Sequence, residues 1–132
     1  MFTGETETEL GVDLPPSEVE LWGNNAVLYS SGPVAVCEVR ERVCRAWAAA
    51  NFMTVIGVCQ DWDPACTLPA VHRPGVIRAL ETLTFRDGDV LVVADGGFAE
   101  FSAVDQEWLR ARVAALGKRL EVVPAAAPEV TP

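Results

Sequence analysis

Apolar residues recur along this chain in two rhythms, and the switches between them order its elements. Ala26-Val27-Leu28-Tyr29 is a short unbroken apolar run ending at Ser30-Ser31-Gly32-Pro33, a turn signal, and it predicts a strand. Residues 34–51 change to helical spacing. Val36, Val39, Val43, Trp47 and Ala50 recur three and four apart, with Glu38, Arg40, Glu41, Arg42 and Arg45 mostly between them. Met53 to Cys59 is continuous and β-branched, the pattern of a strand buried on both faces. After a proline-rich loop over 60–72, Arg73-Pro74-Gly75 opens a second helix that runs to about Leu83. Proline is tolerated there because the first turn has no use for its missing N–H.

Asp87-Gly88 marks a turn, and Val90-Leu91-Val92-Val93-Ala94 is the clearest buried strand in the chain. Asp95-Gly96-Gly97 reads as a glycine-bearing turn. Ser102, with Asp105 three residues on, is an acidic variant of the capping box and starts a third helix. Val104, Trp108, Leu109, Val113 and Leu116 make its core face, and Gly117 ends it. Leu120 to Val123 is a last short strand. The order β-α-β-α-β-α-β, with right-handed connections, predicts an α/β fold in three layers: a mostly parallel four-stranded sheet, helices on both faces, and residues 89–94 central.

The ends are different. Residues 1–23 carry Glu5, Glu7, Glu9, Asp13, Glu18 and Glu20 and no base, and read as an acidic tail whose second half (Leu14, Val19, Leu21, Trp22) is apolar enough to dock. Residues 24–123 form the domain, and 124–132 are a Pro/Ala-rich second tail. Ten Lys and Arg against nineteen Asp and Glu give a net charge of −9, which argues against direct binding to nucleic acid or to an anionic membrane surface. The start lacks a basic segment followed by an apolar run, so a cytoplasmic location is expected. Cys37, Cys44, Cys59 and Cys66 lack zinc-site spacing and read as small buried hydrophobes.

Five short motifs, in order, carry a resemblance. They are Tyr29-Ser30-Ser31-Gly32-Pro33, Val55-Ile-Gly-Val-Cys-Gln-Asp61, His72-Arg73-Pro74-Gly75-Val76, Asp89-Val-Leu-Val-Val-Ala-Asp95, and Leu116-Gly-Lys-Arg-Leu-Glu-Val-Val123. Together they resemble the catalytic domain of resolvase- and invertase-type serine recombinases over about residues 25–123. The resemblance implies a resolvase-like fold and a site in which a serine attacks a DNA phosphodiester while arginines stabilise the charged phosphorus centre. Carried over residue by residue, the nucleophile position falls on Pro33 and the arginine two residues earlier on Ser31. Asp95-Gly96-Gly97-Phe98-Ala99 replaces Asp-Arg-Leu-Ser-Arg, so both of its arginines are absent. Asp61, Arg73 and Asp95 remain. Sliding the first motif by two puts Ser31 at the nucleophile position but restores no arginine.

Losing one transition-state donor typically costs about 3 kcal/mol, and several are missing here. With residue 132 as the last, neither a long dimerisation helix nor a DNA-binding domain of the kind this family appends is expected. The expectation is therefore an inactive recombinase-like domain that serves as a protein-interaction or regulatory module, with no cofactor or metal and with a protein partner, itself included. Trp62, Phe98 and Phe101 are its candidate partner contacts, with Trp62 and at least one of Phe98 and Phe101 expected to be partly exposed. His72 is expected to be a solvated loop residue. The rival reading is a Mg²⁺-dependent phosphoryl-transfer enzyme or nucleotide-binding protein. It would use Asp61, Asp63 and Asp95, all just past the carboxyl ends of predicted strands.

Overall fold

All five residues of Val90–Ala94 are buried, and the rest of the fold is arranged about that strand. The computed structural model describes residues 24–124. Both expected tails, Pro124 apart, lie outside the described residues. In chain order the elements are β1 (Asn25–Ser31), α1 (Val34–Ala50), β2 (Thr54–Asp61), two single 3₁₀ turns (Ala65–Thr67 and Ala70–His72), α2 (Pro74–Phe85), β3 (Val90–Ala94), α3 (Asp95–Ala99), α4 (Ala103–Ala115) and β4 (Arg119–Val123). The sheet order is β2-β1-β3-β4 and every neighbouring pair is parallel. Leu28 lies opposite Val58 on one side and Val92 on the other. The expected three-layer α/β fold is therefore present.

Strand alternation divides the core in two. Ala26, Leu28, Val90 and Val92 face α1, where Cys44 is buried and Val43 and Trp47 pack at the margin. Val27, Tyr29, Leu91 and Val93 face the opposite layer, made by Val76, Ala79 and Leu83 of α2, Phe98 of α3, and Leu109 and Val113 of α4. Ser102 caps α4, its hydroxyl accepting from the Asp105 N–H at 3.1 Å. Gly117 stops that helix with φ +75°, a conformation that disfavours a side chain. Among the described residues no helix is long and apolar enough to cross a membrane.

Several expectations need correction. β2 is an edge strand, and only Cys59 and Asp61 of its eight residues are buried, not the burial on both faces that its composition suggested. On α1 the core stripe runs through the small residues Cys37, Cys44 and Ala48, while Val39 is half exposed. On α4, Val104 faces solvent. Gly96 and Gly97 belong to the short helix α3, not to a turn. Cys66 is only half-buried, whereas Cys37, Cys44 and Cys59 fit the reading as buried hydrophobes, and burial pushes the Cys44 thiol up to about 12.

Leu109→Ala, which empties a fully buried position, is expected to cost about 3 kcal/mol, and Ser102→Ala about 1 kcal/mol through the lost cap. Chemical denaturation of both variants checks the order. Equal costs would contradict it.

Candidate functional site

In an open parallel sheet, ligands bind beyond the carboxyl ends of the strands, at the point where the strand order reverses. Here that point lies between β1 and β3, bounded by Ser31, Gly32 and Pro33 on one side and by Asp95, Gly96 and Gly97 on the other. The residues around it fall into two groups.

The first group is buried. Asp61, at the end of β2, is 3% exposed and both carboxylate oxygens are occupied. One accepts from the Tyr29 hydroxyl at 2.8 Å, the other from the Gly75 N–H at 2.8 Å. Arg73, immediately before α2, is also buried. Its Nε donates to the Leu68 carbonyl at 2.8 Å and one terminal nitrogen reaches the Tyr29 hydroxyl at 3.4 Å, while the guanidinium lies 4.3 Å from the centre of the Phe101 ring. Burial raises the Tyr29 hydroxyl above its ordinary range, and the neighbouring Asp61 carboxylate adds to the rise while Arg73 opposes it. The phenol thus stays protonated and donates. Gly75 is required by space, since a Cβ there would lie 2.6 Å from an Asp61 oxygen and 2.7 Å from the Gln60 carbonyl.

The second group spans the crevice. Arg40 extends from α1 to donate to the Ser31 carbonyl at 3.0 Å and to both carboxylate oxygens of Glu100, at 3.1 and 3.0 Å. Its guanidinium runs past Gly32 and Gly96, approaching within 3.5 and 3.2 Å of where their Cβ atoms would stand. Gly32 has φ +121°, which only glycine adopts readily. The Arg40 hydrogen bond holds the Glu100 carboxyl below the usual glutamate range.

The sequence-derived site residues therefore separate. Asp61 and Arg73 share the buried network. Pro33 is exposed at the start of α1, and Ser31, at the end of β1, is 2% exposed. Asp95 is exposed at the start of α3. The proposed trio of carboxylates does not converge. Asp61 and Asp95 flank β1, two strand spacings or about 10 Å apart, and exposed Asp63 accepts from the Cys66 thiol at 2.6 Å. Among the described residues no group of three His, Cys, Asp or Glu side chains is placed to hold a metal. His72 is exposed, as a solvated loop residue should be.

The expected partner contacts need the clearest correction. Phe98 and Phe101 are 5% and 3% exposed and belong to the core, with Phe101 stacked near Tyr29 and Arg110 over the Phe98 ring. They are buried because α3 and the turn after it direct both rings into the layer formed by α2 and α4. Trp62 is half exposed, its indole N–H held by the Gln60 side chain at 2.9 Å. Sequence reasoning missed Arg40 and Glu100. They lie 60 residues apart, and nothing local to either marks the pairing.

No protein-family model matches this chain, and no curated protein matches it. Among solved structures it is similar to the C-terminal catalytic domain of ISC1926 TnpA, an IS607-like serine recombinase. The TM-score is 0.62 at 19% identity, over 78% of this chain and 72% of that one. The chain has a serine-recombinase-like α/β fold. At this identity the likeness concerns the fold alone.

Gly75→Ala is expected to destabilise the chain by about 2–3 kcal/mol, because neither the Asp61 carboxylate nor the Gln60 backbone can withdraw without breaking the network. Thermal unfolding measures it, and a change within about 0.5 kcal/mol would contradict the close approach. Glu100→Gln should cost less than about 1 kcal/mol, since the carboxylate is 57% exposed and screened. The Glu100 pKa is lower folded than unfolded, so its contribution is present above the ordinary glutamate value and fades as pH falls through the lowered one. Unfolding curves of wild type and variant should accordingly converge on acidification below about pH 4. A gap that widens there would contradict the pairing.

Proposed function

We propose that this chain is a catalytically inactive domain on a serine-recombinase-like scaffold, acting as a protein-interaction or regulatory module. One observation carries the reading: the crevice in which the resemblance would put a nucleophile and a cluster of arginines holds a proline, a buried serine and a neutralised arginine. Pro33 has no hydroxyl, and Ser30 and Ser31 are both buried. The arginine that does reach the crevice, Arg40, spends its donors on Glu100 and the Ser31 carbonyl. Arg73 is buried and donates to the Leu68 carbonyl and the Tyr29 hydroxyl. In this reading a phosphodiester arriving there meets a proline at the nucleophile position and, in Arg40, a cation already paired with Glu100.

The same features support the absence of direct DNA binding better than net charge does. All ten bases and twelve of the acids fall within residues 24–123, so the folded part carries only −2, and most of the −9 resides in the six acids before it. Four free thiols fit a cytoplasmic setting. With Phe98 and Phe101 in the core, the partner contact rests on Trp62, which shares a shallow cleft with partly exposed Val58.

Two measurements test the reading. A nicked recombination substrate incubated with the protein should yield no covalent protein–DNA adduct, and an adduct would overturn the assignment. Quantitative affinity capture from the native host, comparing wild type with Trp62→Ala, should show a partner depleted about 30-fold in the variant at unchanged melting temperature. Identical capture profiles, with both proteins monomeric in sedimentation, would remove the interaction role.

A further inference from the structure

Between α2 and α4 runs a groove of about 420 Å³, walled by Val71, Ile77, Leu80, Phe85, Trp108 and Leu116. Phe85 is 80% exposed, and Val71 and Ile77 are close to half exposed. A continuous apolar surface of this kind marks a contact site. Its charged lining residues are Glu81 on the α2 wall and Arg112 on the α4 wall. Both are exposed, and among the described residues neither forms an ion pair.

The two walls carry matching rows. Each helix connects parallel strands of one sheet, so α2 and α4 run in the same direction. Ile77, Glu81 and Phe85 stand four apart on the α2 wall, and Trp108, Arg112 and Leu116 stand four apart on the α4 wall. Phe85 is the last residue of α2 and Leu116 caps the end of α4, so both rows finish with their helices. Each row reads apolar, charged, apolar over about 12 Å, and the two charges are opposite in sign. One row is therefore the complement of the other. A two-fold axis along the groove lays α2 of one protomer on α4 of its partner, and α4 on α2 by symmetry. Ile77 then meets Trp108, Glu81 meets Arg112 and Phe85 meets Leu116, every contact being made twice.

We propose that the α2/α4 groove is the interface of a symmetric homodimer, closed by two Glu81–Arg112 pairs across the two-fold axis. A second copy suits this face better than a foreign chain does, because the face supplies both halves of each contact. Burial of Phe85, Ile77 and Trp108 provides the attraction. The charges fix the register, since sliding one protomer by a helical turn would set Glu81 against Trp108 or Leu116 and leave Arg112 without a partner. The inference rests on the groove and its two charges, and on neither Trp62 nor the loss of catalysis.

Sedimentation of the full chain tests the proposal. From about 5 to about 500 µM the wild type should pass from monomer to dimer. Glu81→Arg sets arginine against arginine twice in a homodimer and should weaken association at least about tenfold. Arg112→Glu sets glutamate against glutamate twice and should do the same. Both positions are exposed, so the melting temperatures of the variants should match the wild type. Mixed one to one, the two variants regain both opposite-charge pairs and should associate as the wild type does. The proposal is overturned if the wild type is monomeric throughout, if either variant alone dimerises as tightly as the wild type, or if the mixture stays monomeric. None of these results bears on capture through Trp62 or on the absence of a DNA adduct.

Discussion

The carboxylate of Asp61 joins three elements at the functional end of this sheet, and the geometry around it follows from that junction. It takes one hydrogen bond from Tyr29 on β1 and one from the Gly75 backbone at the start of α2, while standing itself at the end of β2. A buried carboxylate must have its lone pairs satisfied, and burying it unpaired would cost several kcal/mol. Here both oxygens are satisfied by groups whose positions are set by other elements. Arg73 adds a positive charge to the same cluster and a face for the Phe101 ring, which draws the turn between α3 and α4 inward. Asp61 and Arg73, two residues that match the recombinase-like pattern, therefore hold the fold together at this end.

A different arrangement governs the crevice beside it. Glycines at 32, 96 and 97 leave no side chains across the reversal point, and the room they provide is used by Arg40. An arginine facing an open crevice would attract an anion. Paired bidentately with Glu100 and bonded to the Ser31 carbonyl, it instead closes the crevice with a locally neutral pair. Exposure of the Glu100 carboxylate keeps that pair modest in energy, so it fills space and balances charge more than it stabilises the fold.

Much of this was legible in the order of residues. Unbroken apolar runs identified β1 and β3, helical spacing identified α1 and α4, the Arg73-Pro74-Gly75 start identified α2, and the Ser102 cap and the Gly117 stop were readable from side-chain chemistry. What local pattern cannot show is which strand lies at an edge. Met53–Cys59, with no charged residue, resembles a strand buried on both faces, yet the β2-β1-β3-β4 order leaves β2 with one neighbour. Nor could it show that α1 packs by its small residues, because Cys37, Cys44 and Ala48 allow closer approach than the valines beside them. Phe98 and Phe101 looked like surface anchors because Gly96-Gly97 reads as a turn. Once those glycines are helical, both rings point inward. The Arg40–Glu100 pair is a tertiary fact and left no local trace.

The proposed closure of the crevice to phosphate is tested most directly by following its own nuclei. In a titration of the full chain with duplex and single-stranded DNA oligonucleotides, the amides of Gly32, Gly96 and Gly97 and the Arg40 Nε–H resonance should not move. Saturable shifts confined to those groups would mean that the Arg40–Glu100 pair opens for a phosphodiester, and the crevice would then be a working anion site.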